Sequence, residues 1–257
     1  MKKDKLHNIL TSKWARLMLV LFGVLFIFAL WAIISHILNS PVLPGPNKVM
    51  PLFFELLGQG KTYLAVGATL LRLLIAFSVS FACAFILGII AGLHNEFKTF
   101  LSPLIIVLKT IPTATFVFAF FVYFENDLTL FLVIFLVLFP ILYEAISNGI
   151  NNIDKNILNA LRVDSGIHNP KAIFGVIIPS AFQYILLGII QTLGLGMKVS
   201  IMAEILIGER TLPGIGVNII SAYIDGNATA IYAHSLFAVL IVLTLDIISK
   251  TLKKKYD

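Results

Sequence analysis

Residues 17–34, LMLVLFGVLFIFALWAII, run for eighteen positions without a charged side chain. About 20 apolar residues in an α-helix match the ~30 Å hydrocarbon layer of a bilayer, and in that layer a backbone survives only if each segment bonds its own N–H and C=O groups. Comparable runs recur at 71–93, 100–123, 128–147, 182–207 and 231–249, each holding only one or two charged residues. The pattern predicts an all-α polytopic membrane protein with about six transmembrane helices. Composition closes the alternatives: 59% of the chain is hydrophobic and 12% charged, with mean hydropathy +0.98, against about 25% charged residues in soluble domains. Within 257 residues such spans leave no room for a separate soluble domain.

The first run is read as a retained span, because a signal-peptide core extends only about 7 to 15 residues and SHILNSPVLPGP supplies no small-residue cleavage site. The organisation expected is a tail, first span and outer interfacial segment over 1–62, a core of five spans over 63–250, and a basic tail over 251–257. The interfacial segment is KVMPLFFELLGQG, which follows the Pro/Gly turn NSPVLPGPN. The net charge of +6 comes from residues at the ends and in short loops, a topology signal and not a nucleic-acid footprint. With the amino terminus in the cytoplasm, Lys2, Lys3, Lys5, Lys13, Arg16, Lys98, Lys155, Arg162, Lys171 and the terminal lysines fall inside. Of the loop positives, only Lys48, Lys61 and Arg210 fall outside, so both termini are expected in the cytoplasm.

The loop over 149–180 interrupts this apolar chain. In ILNALRV, the residues Ile157, Leu158, Leu161 and Val163 form a stripe at helical spacing. Gly166 is suited to a left-handed residue that ends a helix, and Pro170 to the first turn of the next. A helix–break–helix elbow projecting from a membrane bundle offers a handle for a soluble partner.

From VLPGPNKV to the carboxyl end the chain resembles a permease subunit of bacterial ABC importers, of the group that handles nitrate, sulfonates, taurine and thiamine precursors. The group's cytoplasmic signature is similar to E-A-A-x3-G-x9-I-x-L-P. Anchored on Pro179, it places Gly166 at the glycine, with Val176 and Ile178 at the two aliphatic places. The triplet becomes Ala160-Leu161-Arg162 and lacks its acidic residue. LLRLLIAFSVSFACAFILGIIAGL, FLSPLIIVLKTIPTATF, NGINNID and AEILIGERTLPGIG resemble further stretches of the group. The resemblance implies that ABC ATPase subunits bind ATP and Mg, with no cofactor on this chain, and that an extracellular lipid-anchored or periplasmic binding protein delivers the solute. It also implies a second permease subunit, expected as a homodimer, in the bacterial cytoplasmic membrane. Ala160, Leu161, Arg162, Gly166, Ile167, Phe174 and Pro179 would then form the ATPase-coupling loop.

Charges within spans are costly and usually face protein or water. Lys109, Thr113, Gln191, Lys198 and Glu204 are therefore candidates to line a solute path, the lysines attracting an anion; structural pairing or snorkelling is the competing reading for the charged three. Thr110, Thr113 and Thr115 flank Pro112, where a lost backbone bond can open a helix. Arg72 and Asp246 are expected at the membrane interfaces. Gly88 and Gly92 have the spacing of close helix packing. The five histidines and single cysteine show no metal-ligand spacing, no nucleophile–base constellation occurs, and there is no G-x-x-x-x-G-K-[ST] loop, so the chain is expected not to be an enzyme. An ion-gradient-driven secondary carrier using Lys109 and Glu204 is the rival class.

Overall fold

A computed structural model describes residues 13–164, 166–208 and 212–256. Lys2, Lys3, Lys5 and Arg210, on which part of the charge asymmetry rests, lie outside the described residues. Helix α1 covers Lys13–Leu38, α2 Pro46–Leu57, α3 Gly60–Leu93, α4 Asn95–Thr110, α5 Thr113–Phe121 and α6 Asn126–Asn151. Then come α7 (Lys155–Asp164), α8 (Pro170–Ile207), α9 (Ile215–Ile224) and α10 (Ala228–Tyr256). The described residues contain no strand, and α1, α3, α6, α8 and α10 are long and apolar enough to cross a membrane.

The expected third span is not straight. Helices α4 and α5 meet at an 89° bend, which makes them a broken span or a re-entrant turn. The cause is local: Pro112 excludes the α conformation from the residue before it, and Ile111 has ψ 126°. Two other spans are longer than their apolar runs suggest. Helix α3 begins at Gly60 rather than near 71, and α8 begins at Pro170 rather than near 182. At 1.5 Å per residue, the 38 residues of α8 reach about 57 Å, well beyond the hydrocarbon thickness, so its ends stand outside it. Pro179 lies inside this rod without breaking it. The wider π turn at Ile173–Ile177 immediately precedes it and accommodates the missing N–H.

The core is the layer between α3, α6 and α8. Its fully buried large side chains include Leu73, Leu130, Leu138, Leu142, Ile146, Ile150 and Met197. Small residues set the helix spacing. A Cβ built at Gly88 would lie 2.9 Å from Ile146 Cβ, and one at Gly92 would lie 2.6 Å from Ile150 Cβ. Gly92→Val therefore forces α3 away from α6, with an expected cost of about 1–3 kcal/mol, read as a lower thermal unfolding temperature in detergent.

Helix α2, expected at the interface, packs as an amphipathic clamp. Val49, Phe53 and Leu56, spaced along one face, close on Ala233 and Phe237 of α10. Trp31 of α1 donates its indole N–H to the Pro44 carbonyl at 3.1 Å and stands against Tyr232 of α10. Helix α9 has no counterpart among the predicted spans, being a ten-residue apolar helix tucked against α8 and α10.

Candidate functional site

The elbow forms as its punctuation requires. Asp154 Oδ1 accepts the Asn156 N–H at 2.8 Å and opens α7. Gly166, at φ +80°, turns the chain after α7, and its N–H returns to the Leu161 carbonyl at 2.7 Å. Asn169 Oδ1 then accepts the Lys171 N–H at 3.0 Å, with Pro170 at the first position of α8. The apolar stripe of α7 divides between two faces. Leu158 and Leu161 pack against the bundle core, whereas Ile157 and Val163 point away, Val163 being 89% exposed. Phe174, on the first turns of α8, is 64% exposed. Ala160, Arg162 and Pro179 are exposed, and Ile167 is half-buried. Ile173 packs inward against the core.

A second constellation lies along α8. Tyr184, Leu187, Gln191, Leu195 and Lys198 repeat at steps of three and four residues and are all exposed, a single open stripe on one side of the helix. The opposite side, with Ala181, Ile185, Gly188, Thr192, Gly196 and Ser200, is buried. Lys109 Nζ meets Glu144 Oε2 at 2.6 Å, joining the end of α4 to α6. The neighbouring Ala145 fills the space where Gly188 lacks a side chain, so this ion pair sits at the level of Gly188, one turn from Gln191. Thr113 is half-buried at the start of α5, just past the bend. Thr110 and Thr192 bond back to the carbonyls of Ile106 and Gly188, each at 2.7 Å.

Both partners of the Lys109–Glu144 pair are more than one-third exposed in the single chain, so solvent screening would leave it worth little in water. On a face between apolar helices the balance differs: removing one partner strands the other charge. Glu144→Gln is expected to destabilise the chain in detergent more than the paired change Lys109→Met with Glu144→Met. Thermal unfolding of the two variants tests that order.

Glu204 lies elsewhere, 1% exposed at the far end of α8. Its carboxylate accepts from Thr69 Oγ1 (2.9 and 3.1 Å), Arg72 Nη1 (3.1 Å) and the Gly216 N–H (2.8 Å). Thr69 Oγ1 in turn accepts the Ile215 N–H at 3.0 Å. Arg72 also donates through Nε to Asp127 Oδ1 at 2.9 Å and through Nη1 to the Pro213 carbonyl at 2.8 Å. Among the described residues each contact on the carboxylate comes from a donor, and one of them is the Gly216 N–H in the first turn of α9, where a negative charge is favoured. The network ties α3, α6 and α8 to the start of α9. It explains the glycines of TLPGIG, because a Cβ at Gly214 would lie 2.7 Å from the Glu204 carboxyl carbon and one at Gly216 would lie 2.7 Å from Glu204 Cβ.

Residues 84–257 match the family described as binding-protein-dependent transport system inner membrane component. The chain belongs to this family. It is a permease subunit of the ABC importers that depend on a solute-binding protein, which removes the ion-gradient carrier from consideration. It is 27% identical over 233 residues to the putative aliphatic sulfonates transport permease protein SsuC of Bacillus subtilis (strain 168), covering 89% of this chain and 83% of the relative. It is 29% identical over 232 residues to the nitrate import permease protein NrtB of Synechococcus elongatus, covering 85% and 82%. The bicarbonate transport system permease protein CmpB of the same species is 27% identical over 251 residues, covering 91% and 89%. The fold matches a chain of the inward-facing MetNI methionine ABC transporter with TM-score 0.59 at 15% identity, covering 76% of this chain and 97% of that one.

Within the permease, sequence reasoning anticipated the turn chemistry at Gly166 and Pro170 but missed the outward set of Ile157 and Val163. A 100° rotation per residue would have separated Ile157 from Leu158. Arg72, expected at an interface, is only 14% exposed and holds two carboxylates, a pairing that sequence reasoning did not foresee. The polar–apolar–glycine run AEILIGERTLPGIG was visible as a motif, but the partners of Glu204 at Thr69 and Arg72 stand 135 and 132 residues away and leave no local signal.

Proposed function

We propose that α7 and the first turns of α8 are the handle by which ABC ATPase subunits move this permease, and that this end of the bundle, with both termini, faces the cytoplasm. The observation that carries the reading is the exposed apolar pair Val163 and Phe174, one on each arm of an elbow held by the Gly166 turn. Ala160, Arg162 and Pro179 are the exposed residues of the same elbow, while Leu161 beds it on the bundle and Ile167 is half-buried beside it. ATP and Mg bind the ATPase subunits, where hydrolysis occurs; this chain transmits the motion and catalyses nothing. Closure of the ATPases binds one arrangement of the elbow better than the other, and α8, continuous from the handle through the membrane, carries the difference across.

Two copies of the chain form the path, their open α8 stripes facing each other, with Gln191 and Lys198 on the stripe and Lys109 and Thr113 beside it. The five-span core over 63–250 is the translocating unit, and the loop over 149–180 is its coupling segment. Glu204 braces α9 at the opposite end, where an extracellular lipid-anchored or periplasmic binding protein delivers the solute. A small oxyanion is the solute class supported by the exposed Lys198 and by relatives named for sulfonates, nitrate and bicarbonate. The test is uptake into proteoliposomes containing the permease, its ATPase subunits and its binding protein. Uptake should require all three and ATP; uptake by the permease alone, driven by an ion gradient, would overturn the reading.

A further inference from the structure

Between α7 and the ends of α3 and α6 lies a cavity of ≈ 320 Å³. Its polar lining is Lys155, Arg162, Asn95, Asn151 and Asn159, and among the described residues no acidic side chain lines it. The nearest carboxylate in sequence, Asp154, is directed to the Asn156 N–H of its own helix. Arg162 Nη1 donates to Asn159 Oδ1 at 3.3 Å, a contact that orients the guanidinium and, among the described residues, engages one of its donor groups. Gly92 and Leu93 also line the cavity; they are the last residues of α3, a helix long and apolar enough to cross a membrane. The position that carries the acidic residue in the resembled signature is Ala160 here, and the triplet ends in Arg162, so the charged groups on the described lining are both cations.

We infer that this cavity binds a phosphate group, held by Lys155 and Arg162 and the carboxamides around them. Two cations and three carboxamides around a concave site match the several acceptor oxygens of a phosphate, and basic pockets between helices at a membrane surface take up anionic headgroups. An occupant there would fill the space between the coupling helix and the bundle, so that movement of α7 is transmitted to α3 and α6 through a packed contact instead of across a void. The same chemistry is offered by an anionic phospholipid headgroup and by a free phosphate ester.

Binding to the full chain, purified in a neutral detergent, separates the sources and tests the site without any ATPase, so its outcome is independent of the proposed coupling. Three probes are titrated and followed by native mass spectrometry and by the rise in unfolding temperature: short-chain phosphatidylglycerol, glycerol phosphate and inorganic phosphate. Saturable binding of any of them supports the inference, provided that Lys155→Gln with Arg162→Gln weakens it about thirtyfold. Lys155→Arg with Arg162→Lys should retain it, and Lys171→Gln, outside the lining, should leave it unchanged. Binding by phosphatidylglycerol alone identifies the lipid as the source, and equal binding by glycerol phosphate or inorganic phosphate identifies a free anion. The inference is overturned if no probe saturates, or if the double glutamine variant, folded as judged by its unfolding temperature without probe, binds as the parent does.

Discussion

Glu204→Ala is expected to lower the stability of the permease by about 3 kcal/mol and to free the start of α9. Removing one partner of a buried ion pair costs about 3–5 kcal/mol, and the lower end applies because Asp127 still balances Arg72. The Gly216 N–H loses its acceptor, and the space left between Gly214 and Gly216 cannot be refilled by their missing side chains. Glu204→Gln should fall between the two: its carbonyl can still accept from Gly216, but its amide turns a donor toward Arg72 or Thr69. Thermal unfolding in detergent gives the order, and thiol labelling of a cysteine placed at Ile215 reports release of α9. Parent-like stability and labelling in the alanine variant would show that the carboxylate does not hold the helix. Because α9 stands at the end opposite α7, the same variant should leave ATPase association intact while impairing delivery from the binding protein.

The complementary loss is expected at the other end. Val163→Asp combined with Phe174→Asp should weaken association with the ATPase subunits by at least about a hundredfold, since burying each of these side chains in an interface is worth about 1.5–3 kcal/mol. Both are exposed in the isolated chain, so its own unfolding should shift by no more than about 0.5 kcal/mol. Co-purification of the ATPases with the variant, and ATP-dependent uptake in proteoliposomes, should both be lost. Unchanged association would place the grip elsewhere on the loop. Leu158→Asp makes a useful contrast: this residue packs inward, so its substitution should destabilise the chain itself before it affects docking.

The two variants also separate what was legible along the chain from what was not. Apolar runs of membrane length announced the spans, and Gly166 with Pro170 announced the elbow, because turn and cap chemistry acts within a few residues. The 89° bend after α4 was only half legible: Pro112 marked the spot, but the angle depends on how α5 packs against α6. Helix α3 was read as starting too late because Lys61 and the polar residues near it resemble a loop. Helix α9 was missed because a mainly apolar run of ten residues is too short to span a membrane and too ordinary to signal a helix.

Taken by itself, the sequence determined the solvent, the approximate number of spans, the helical class and the position of the elbow, since each depends on local length, hydropathy or backbone freedom. Which charges point into protein and which into open space was decided only by the tertiary structure. Glu204 became a brace and Lys109 a partner of Glu144 through helices brought together across 35 to 135 residues. A buried charge is tolerated only where a partner completes it, and that partner is supplied by packing, not by neighbours in the chain.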